Sequence, residues 1–201
     1  MKNLLLGAAL SLLVLPTATA DNEKTPAVAK KADEVTVPFL GNEKCPISGR
    51  PVDAKKSLKH EGQAVYFCCG NCLAKGKDDA KAMVAKAYAK TVAVKNEKCP
   101  ISGRPIAEGK GKTVAFQGKE VRVCCGNCEK AFPKSAKVNL AKALNPKLKD
   151  AGNKKCPVMD KPVKDDQFVV YKNTIVKICC PGCDKKIKAN PKLLDEVVAD
   201  G

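Results

Sequence analysis

The chain has 201 residues and a formal net charge of +16, from 37 Lys and Arg against 21 Asp and Glu. Such an excess can serve an anionic partner, but with no Trp, three Tyr and five Phe there are almost no aromatics between the basic residues to stack on bases. The Lys-rich surface therefore reads as a solvated one with no specific nucleic-acid partner, and twelve cysteines against a single histidine place the chemistry on thiols.

The chain opens MKNLLLGAALSLLVLPTATA, with basic Lys2, an apolar run from Leu4 to Leu15, and small residues at Ala18 and Ala20. That pattern is a secretory signal peptide, residues 1–20, with cleavage expected after Ala20. The apolar run is too short to cross a bilayer and ends at Pro16, so no membrane span is expected in the mature chain. No cysteine lies near the cleavage site to carry a lipid. The expected location is periplasmic or secreted, where disulfides can form. Residues 21–40 lack sustained periodicity and are expected to be a flexible leader.

Three internal repeats follow, with expected boundaries 41–92, 93–150 and 151–201. NEKCPISGRPV at Asn42 to Val52 returns as NEKCPISGRPI at Asn96 to Ile106 and as NKKCPVMDKPV at Asn153 to Val163. CCGNC at Cys68 to Cys72 returns at Cys124 to Cys128, and as CCPGC at Cys179 to Cys183. All twelve cysteines belong to this pattern: Cys45, Cys68, Cys69, Cys72; Cys99, Cys124, Cys125, Cys128; Cys156, Cys179, Cys180, Cys183.

Within each repeat the first cysteine opens a Cys-Pro turn. Gly62, Gly118 and Asn173, which tolerate positive φ, mark hairpin turns ahead of the paired cysteines. The runs after them put Val65 and Phe67, Val121 and Val123, and Val176 and Ile178 on one face, and Tyr66, Arg122 and Lys177 on the other, as in strands buried on one side. Helices are expected after each cysteine cluster. Ala80, Met83, Val84, Ala87 and Tyr88 form an apolar stripe with Asp78 placed to cap it, Pro133 starts the matching segment of repeat two, and Asn190-Pro191 opens that of repeat three. Met83 and Tyr88 on such a stripe read as core. Units this small and poor in aromatics need a covalent or metal staple, and each, with four cysteines of its own, is expected to fold alone once metallated or oxidised.

With the Cys-Pro turn, the hairpin and the YFCCGNC end, each repeat resembles the YHS and TRASH group of heavy-metal-associated domains. The resemblance implies an α+β chain of three small treble-clef-like repeats, each a Cys-Pro turn, β-hairpin and short helices, and a link to copper or other heavy-metal handling. It places Cys68 and Cys72, Cys124 and Cys128, and Cys179 and Cys183 on the family's closing cysteine pair. At the opening the chain departs from the family. The cysteine position there is Ser48, Ser102 and Met159, the cysteine has moved to Cys45, Cys99 and Cys156, and Cys69, Cys125 and Cys180 are additional.

Three chemistries fit these residues. Soft-metal binding would take Cu(I) or Zn(II) through thiolates, with Cys45, Cys68 and Cys72 converging, Cys69 turned aside by strand alternation, and Met159 able to add a thioether in repeat three. A metal-transport partner would go with that role. Alternatively the twelve cysteines form six disulfides, each contributing about 2 to 4 kcal/mol, in a structural or interaction protein without metal. The Cys-x-x-Cys spacing of Cys69 and Cys72 also allows thiol-disulfide exchange, although no thioredoxin-like βαβ pattern surrounds it. His60, unmatched in the other repeats, reads as a surface turn residue. No Ser-His-Asp set, phosphate loop or paired acidic motif points to an enzyme.

Overall fold

The computed structural model describes residues 34–199. The expected signal peptide and the first part of the expected leader, up to residue 33, lie outside the described residues. From there the chain repeats one small α+β unit three times.

Each unit begins with a tight knuckle closed by backbone hydrogen bonds. The Cys45 N–H donates to the Arg50 carbonyl at 2.8 Å, and the Gly49 N–H donates to the Cys45 carbonyl at 2.9 Å. Cys99 with Arg104 and Gly103, and Cys156 with Lys161 and Asp160, repeat both bonds at 2.8 to 2.9 Å. The turn needs a left-handed residue, with φ of 70° at Gly49 and Gly103 and 49° at Asp160. No atom lies near the position of a Cβ at Gly49 or Gly103, so glycine is there for its backbone freedom and not for space.

The hairpins follow. In repeat one, β1 (Asp53–His60) pairs antiparallel with β2 (Gln63–Phe67). Repeat two adds β3 (Val92–Ala93), parallel to β5 (Lys119–Val123), which pairs antiparallel with β4 (Lys112–Phe116). Repeat three matches it, with β6 (Lys149–Asp150) parallel to β8 (Thr174–Lys177) and β7 (Phe168–Tyr171) antiparallel to β8. The hairpin tips place Glu61-Gly62, Gln117-Gly118 and Lys172-Asn173 all at positive φ, the type I′ turn that suits the right-handed twist of paired strands. β3 and β6 lie across or before the expected repeat boundaries at 92/93 and 150/151, and both pair with the hairpin that follows them. Among the described residues repeat one has no such third strand. By the repeat register, Pro38 stands where the Val92 and Lys149 N–H groups donate to the hairpin, and proline has no N–H to give.

Helices close each unit. α1 (Gly70–Asp78) and α2 (Ala80–Ala87) complete repeat one. The cap of α2 is Asp79 and not Asp78: its carboxylate accepts from the Ala82 N–H at 2.9 Å, because the break between the two helices falls one residue later than the apolar stripe implied. Repeat two has α3 (Gly126–Ala131), a 3-10 turn (Phe132–Ser135) and α4 (Ala136–Leu144). Repeat three has α5 (Cys183–Ala189), a 3-10 turn (Pro191–Leu194) and α6 (Asp195–Ala199). Pro133 and Pro191 sit in the first turns of the 3-10 segments, where a missing N–H costs nothing.

Val65, Phe67, Val121, Val123 and Val176 in their strands, and Ile178 just past the end of β8, are all buried, as the alternation predicts. The units also share apolar surface. Val138 and Ala141 of α4, with Leu148, pack against Phe168, Val170 and Ile175, so the third sheet is covered on both faces and α4 serves two cores. The last part of the expected leader is docked rather than free. Thr36 exchanges backbone hydrogen bonds with Val170 at 2.9 and 2.8 Å, Val35 is buried in the third core, and Leu40 packs against the shared cluster. An unpaired β7 edge and an apolar residue every few positions in EVTVPFL explain the docking. Gln117, buried at the second hairpin tip, lies against Ala64 of the first, and Lys59 pairs with Asp166 at 2.6 Å between repeats one and three.

Candidate metal centre

In each unit the knuckle brings one cysteine, the strand end a second and the first helical turn a third. The sulfur atoms of Cys45, Cys68 and Cys72 all lie within 4.8 Å of one another, as do those of Cys99, Cys124 and Cys128, and of Cys156, Cys179 and Cys183. The knuckle and helix members are buried in all three, while the strand-end members Cys68, Cys124 and Cys179 are half-buried. Individual separations are 3.8 Å for Cys68 to Cys72, 3.6 Å for Cys124 to Cys128, 3.7 Å for Cys156 to Cys183 and 3.6 Å for Cys179 to Cys183. Three thiolates each about 2.3 Å from one ion stand roughly 3.8 Å apart in a tetrahedral arrangement and about 4.0 Å apart in a trigonal one, so the donor sets fit a soft ion in type, and these four separations fall near that spacing.

Three asparagines that the sequence reading passed over hold these clusters. Asn42 donates through Nδ2 to the carbonyls of Lys44 (2.8 Å) and Tyr66 (2.9 Å), and its Oδ1 accepts from the Tyr66 N–H at 2.8 Å. Asn96 does the same with Lys98 (2.9 Å) and with Arg122 (2.7 and 3.0 Å), and Asn153 with Lys155 (2.8 Å) and Lys177 (2.9 and 3.0 Å). Each side chain ties the residue before a knuckle cysteine to the residue two before a strand-end cysteine, which fixes the two arms of the site together. Their recurrence three residues ahead of each Cys-Pro was the available signal.

Electrostatics differ among the thiols. Burial alone would hold Cys45 protonated, but the Ser48 hydroxyl and backbone N–H groups of Cys68, Ser48 and Ile47 outweigh it and bring the thiol down to about 6. Cys99 comes down to about 6 by the same balance of burial against Ser102 and nearby N–H groups, and Cys156 is lowered too, by backbone groups chiefly, against its burial. Burial pushes Cys72 and Cys128 up to about 12 and Cys183 still higher, with neighbouring thiols adding to the effect. In the first two sites the knuckle arm is thus held toward thiolate and the helix arm toward thiol, and in the third the directions are the same. In repeat one the Arg50 guanidinium is 3.6 Å from Cys68 Sγ. The Ser48 and Ser102 hydroxyls lie 3.1 and 3.3 Å from the sulfurs of Cys68 and Cys124.

The fourth cysteines lie at the rim. Strand alternation predicts that Cys69, Cys125 and Cys180 turn aside, and none belongs to a mutually close triad. Yet Cys125 Sγ is 3.7 Å from Cys124 Sγ, and Cys180 Sγ is 3.0 Å from Cys183 Sγ. They approach their neighbours at the rim because the helix starts there: Cys69 and Cys125 are the extended residues that precede α1 and α3. First-turn N–H groups, that of Cys72 foremost, bring Cys69 down to about 7, and those around Cys128 lower Cys125. Cys125 is exposed and Cys69 and Cys180 are half-buried. His60 ends β1 beside the hairpin tip, away from the cysteines, and Met159 is exposed on the third knuckle.

No helix among the described residues is long and apolar enough to cross a membrane. No protein-family model matches the chain, and no curated protein and no solved structure matches it.

Proposed function

We propose that this protein is an exported binder of soft metal ions, taking up to three Cu(I) or Zn(II) ions through cysteine thiolates for storage or delivery. The observation that carries the reading is the threefold recurrence of a cysteine triad whose sulfurs all lie within 4.8 Å of one another, close enough for one ion to reach all three. Cys45, Cys68 and Cys72 hold the first ion, Cys99, Cys124 and Cys128 the second, and Cys156, Cys179 and Cys183 the third, while Cys69, Cys125 and Cys180 are auxiliary ligands or exchange thiols. The resemblance to the YHS and TRASH domains points the same way, and the signal-peptide pattern at Met1 to Ala20 supports a periplasmic or secreted location. A metal-transport protein is the fitting partner, and the Lys-rich surface needs no nucleic acid to explain it.

The chain's own groups do the binding work. The knuckle cysteine, favoured as thiolate by hydrogen bonds, would offer a ready ligand. The helix thiol would have to release its proton to bind an ion, and the asparagine clamp ties together the knuckle and the strand that bear two of the ligands. Titration of the fully reduced chain with Cu(I) or Zn(II), read against a competing chelator, tests this. Uptake approaching three equivalents is expected, and no uptake of either ion would overturn the reading in favour of a disulfide-stapled protein.

A further inference from the structure

We propose that the three centres are not equivalent, and that the third is a Cu(I)-selective site completed by the thioether of Met159. This deepens the metal-binding reading and rests on it.

The molecule supplies its own comparison. The third residue after the knuckle cysteine is Ser48 in repeat one and Ser102 in repeat two, and in both the side chain reaches the strand-end sulfur, at 3.1 and 3.3 Å. Met159 holds the same position after Cys156. The knuckle backbone beneath it is the same, with Cys156 donating to Lys161 at 2.8 Å and Asp160 donating to Cys156 at 2.9 Å. The side chain of Met159 therefore starts from the place that in the other repeats faces the cluster, and it is longer than serine and unbranched.

Packing does not account for it. Met159 is 43% exposed, and the third core gathers its neighbours Val158 and Val163 without it. An exposed methionine on the knuckle that carries Cys156 gains little as a hydrophobe and has the donor atom that Cu(I) prefers. A serine hydroxyl at this position donates a hydrogen bond to a thiolate and spreads its charge; a thioether cannot donate, so it adds either nothing or a bond to the metal. Thioether sulfur suits Cu(I) and Ag(I), whereas Zn(II) takes thiolate, imidazole and carboxylate. The exchange of Ser for Met thus biases the third centre toward the monovalent soft ion and leaves the first two open to either.

The test uses the full reduced chain carrying methionine labelled with carbon-13 at the methyl group, with Ag(I) as a closed-shell probe, alongside the variants Met159→Leu, which keeps the volume and removes sulfur, and Met159→Ser. The Met159 methyl resonance, identified by its loss in Met159→Leu, is expected to move on addition of Ag(I) and to stay in place with Zn(II). In competition with a chromophoric Cu(I) chelator, one of three ions is expected to be held about tenfold or more tightly than the other two, at least the scale on which groups outside the ligand set act, and both variants are expected to erase that difference. Uptake of three ions with an unmoved Met159 methyl and unchanged affinity in Met159→Leu would overturn the inference while leaving the three centres standing. No uptake at any centre would overturn both.

Discussion

Asn96 and Arg122 are joined by two hydrogen bonds, from Asn96 Nδ2 to the Arg122 carbonyl at 2.7 Å and from the Arg122 N–H to Asn96 Oδ1 at 3.0 Å. One buried side chain thereby acts as a short piece of neighbouring strand, two residues before Cys124. A third bond, to the Lys98 carbonyl, ties the same amide to the residue before Cys99. The spacing of the two cysteines depends on it.

Asn96→Ala leaves three part-buried backbone groups without this partner, at a total cost of about 1–3 kcal/mol because water reaches part of them. The affinity of the second centre is expected to fall about 10- to 100-fold, as for other groups that orient a metal ligand. Thermal unfolding and chelator competition measure the two effects separately. Unchanged affinity with lowered stability would make Asn96 a fold residue only.

The doubled cysteines divide their work. Cys68→Ser removes a member of the first triad and is expected to lower the stoichiometry of the reduced chain from three ions to two. Cys69→Ser changes a rim thiol and is expected to weaken the first centre only modestly. Equal loss from both would mean a four-thiolate site, which favours zinc.

Much of this arrangement can be read in the residues. The Gly62, Gly118 and Asn173 turns, the buried faces carrying Val65 and Phe67 or Val121 and Val123, and the assembly of each unit as α+β follow from local pattern, because turn chemistry and strand alternation are local. What could not be read depends on contacts distant in sequence. Val138 and Ala141 look like one helix's own core, and only the neighbouring Phe168-Val-Val-Tyr171 strand, apolar on both faces, reveals a second partner. The asparagine clamp was hidden for a related reason, since a polar residue before Cys-Pro looks like ordinary loop composition until its partner strand is placed beside it. At the paired cysteines alternation places the first member with the triad and the second outside it, as the structure has them.

The shared cluster makes the units unequal partners in stability. Leu148→Ala is expected to cost about 2–5 kcal/mol, and repeats two and three are expected to unfold in one transition. Residues 93–150 expressed alone would expose Val138, Ala141 and Leu148, so they are expected to melt well below the full chain even when metallated. Calorimetry of both forms decides, and equal melting temperatures would show that the interface contributes nothing.

Proton linkage follows from the split among thiols. Cys45 and Cys99, held at about 6, are thiolates above that pH and protonated below it, whereas Cys72 and Cys128, at about 12, carry protons that an ion must displace throughout the neutral range. As pH falls through about 6, each of the first two centres must therefore release one more proton per ion bound. A plot of log affinity for Zn(II) against pH is expected to steepen there by about one unit of slope per centre. A constant slope between pH 5 and 8 would contradict the hydrogen-bonded knuckle thiolate.

The central claim is that the twelve cysteines serve metal ions rather than one another. Native mass determination of the protein taken from its own compartment, without added reductant or metal, tests it most directly, because metals and disulfides change the mass in opposite directions. The expected result is a chain carrying up to three soft ions on its cysteines. A metal-free chain lighter than the fully reduced one by the twelve hydrogens that six disulfides remove would contradict it.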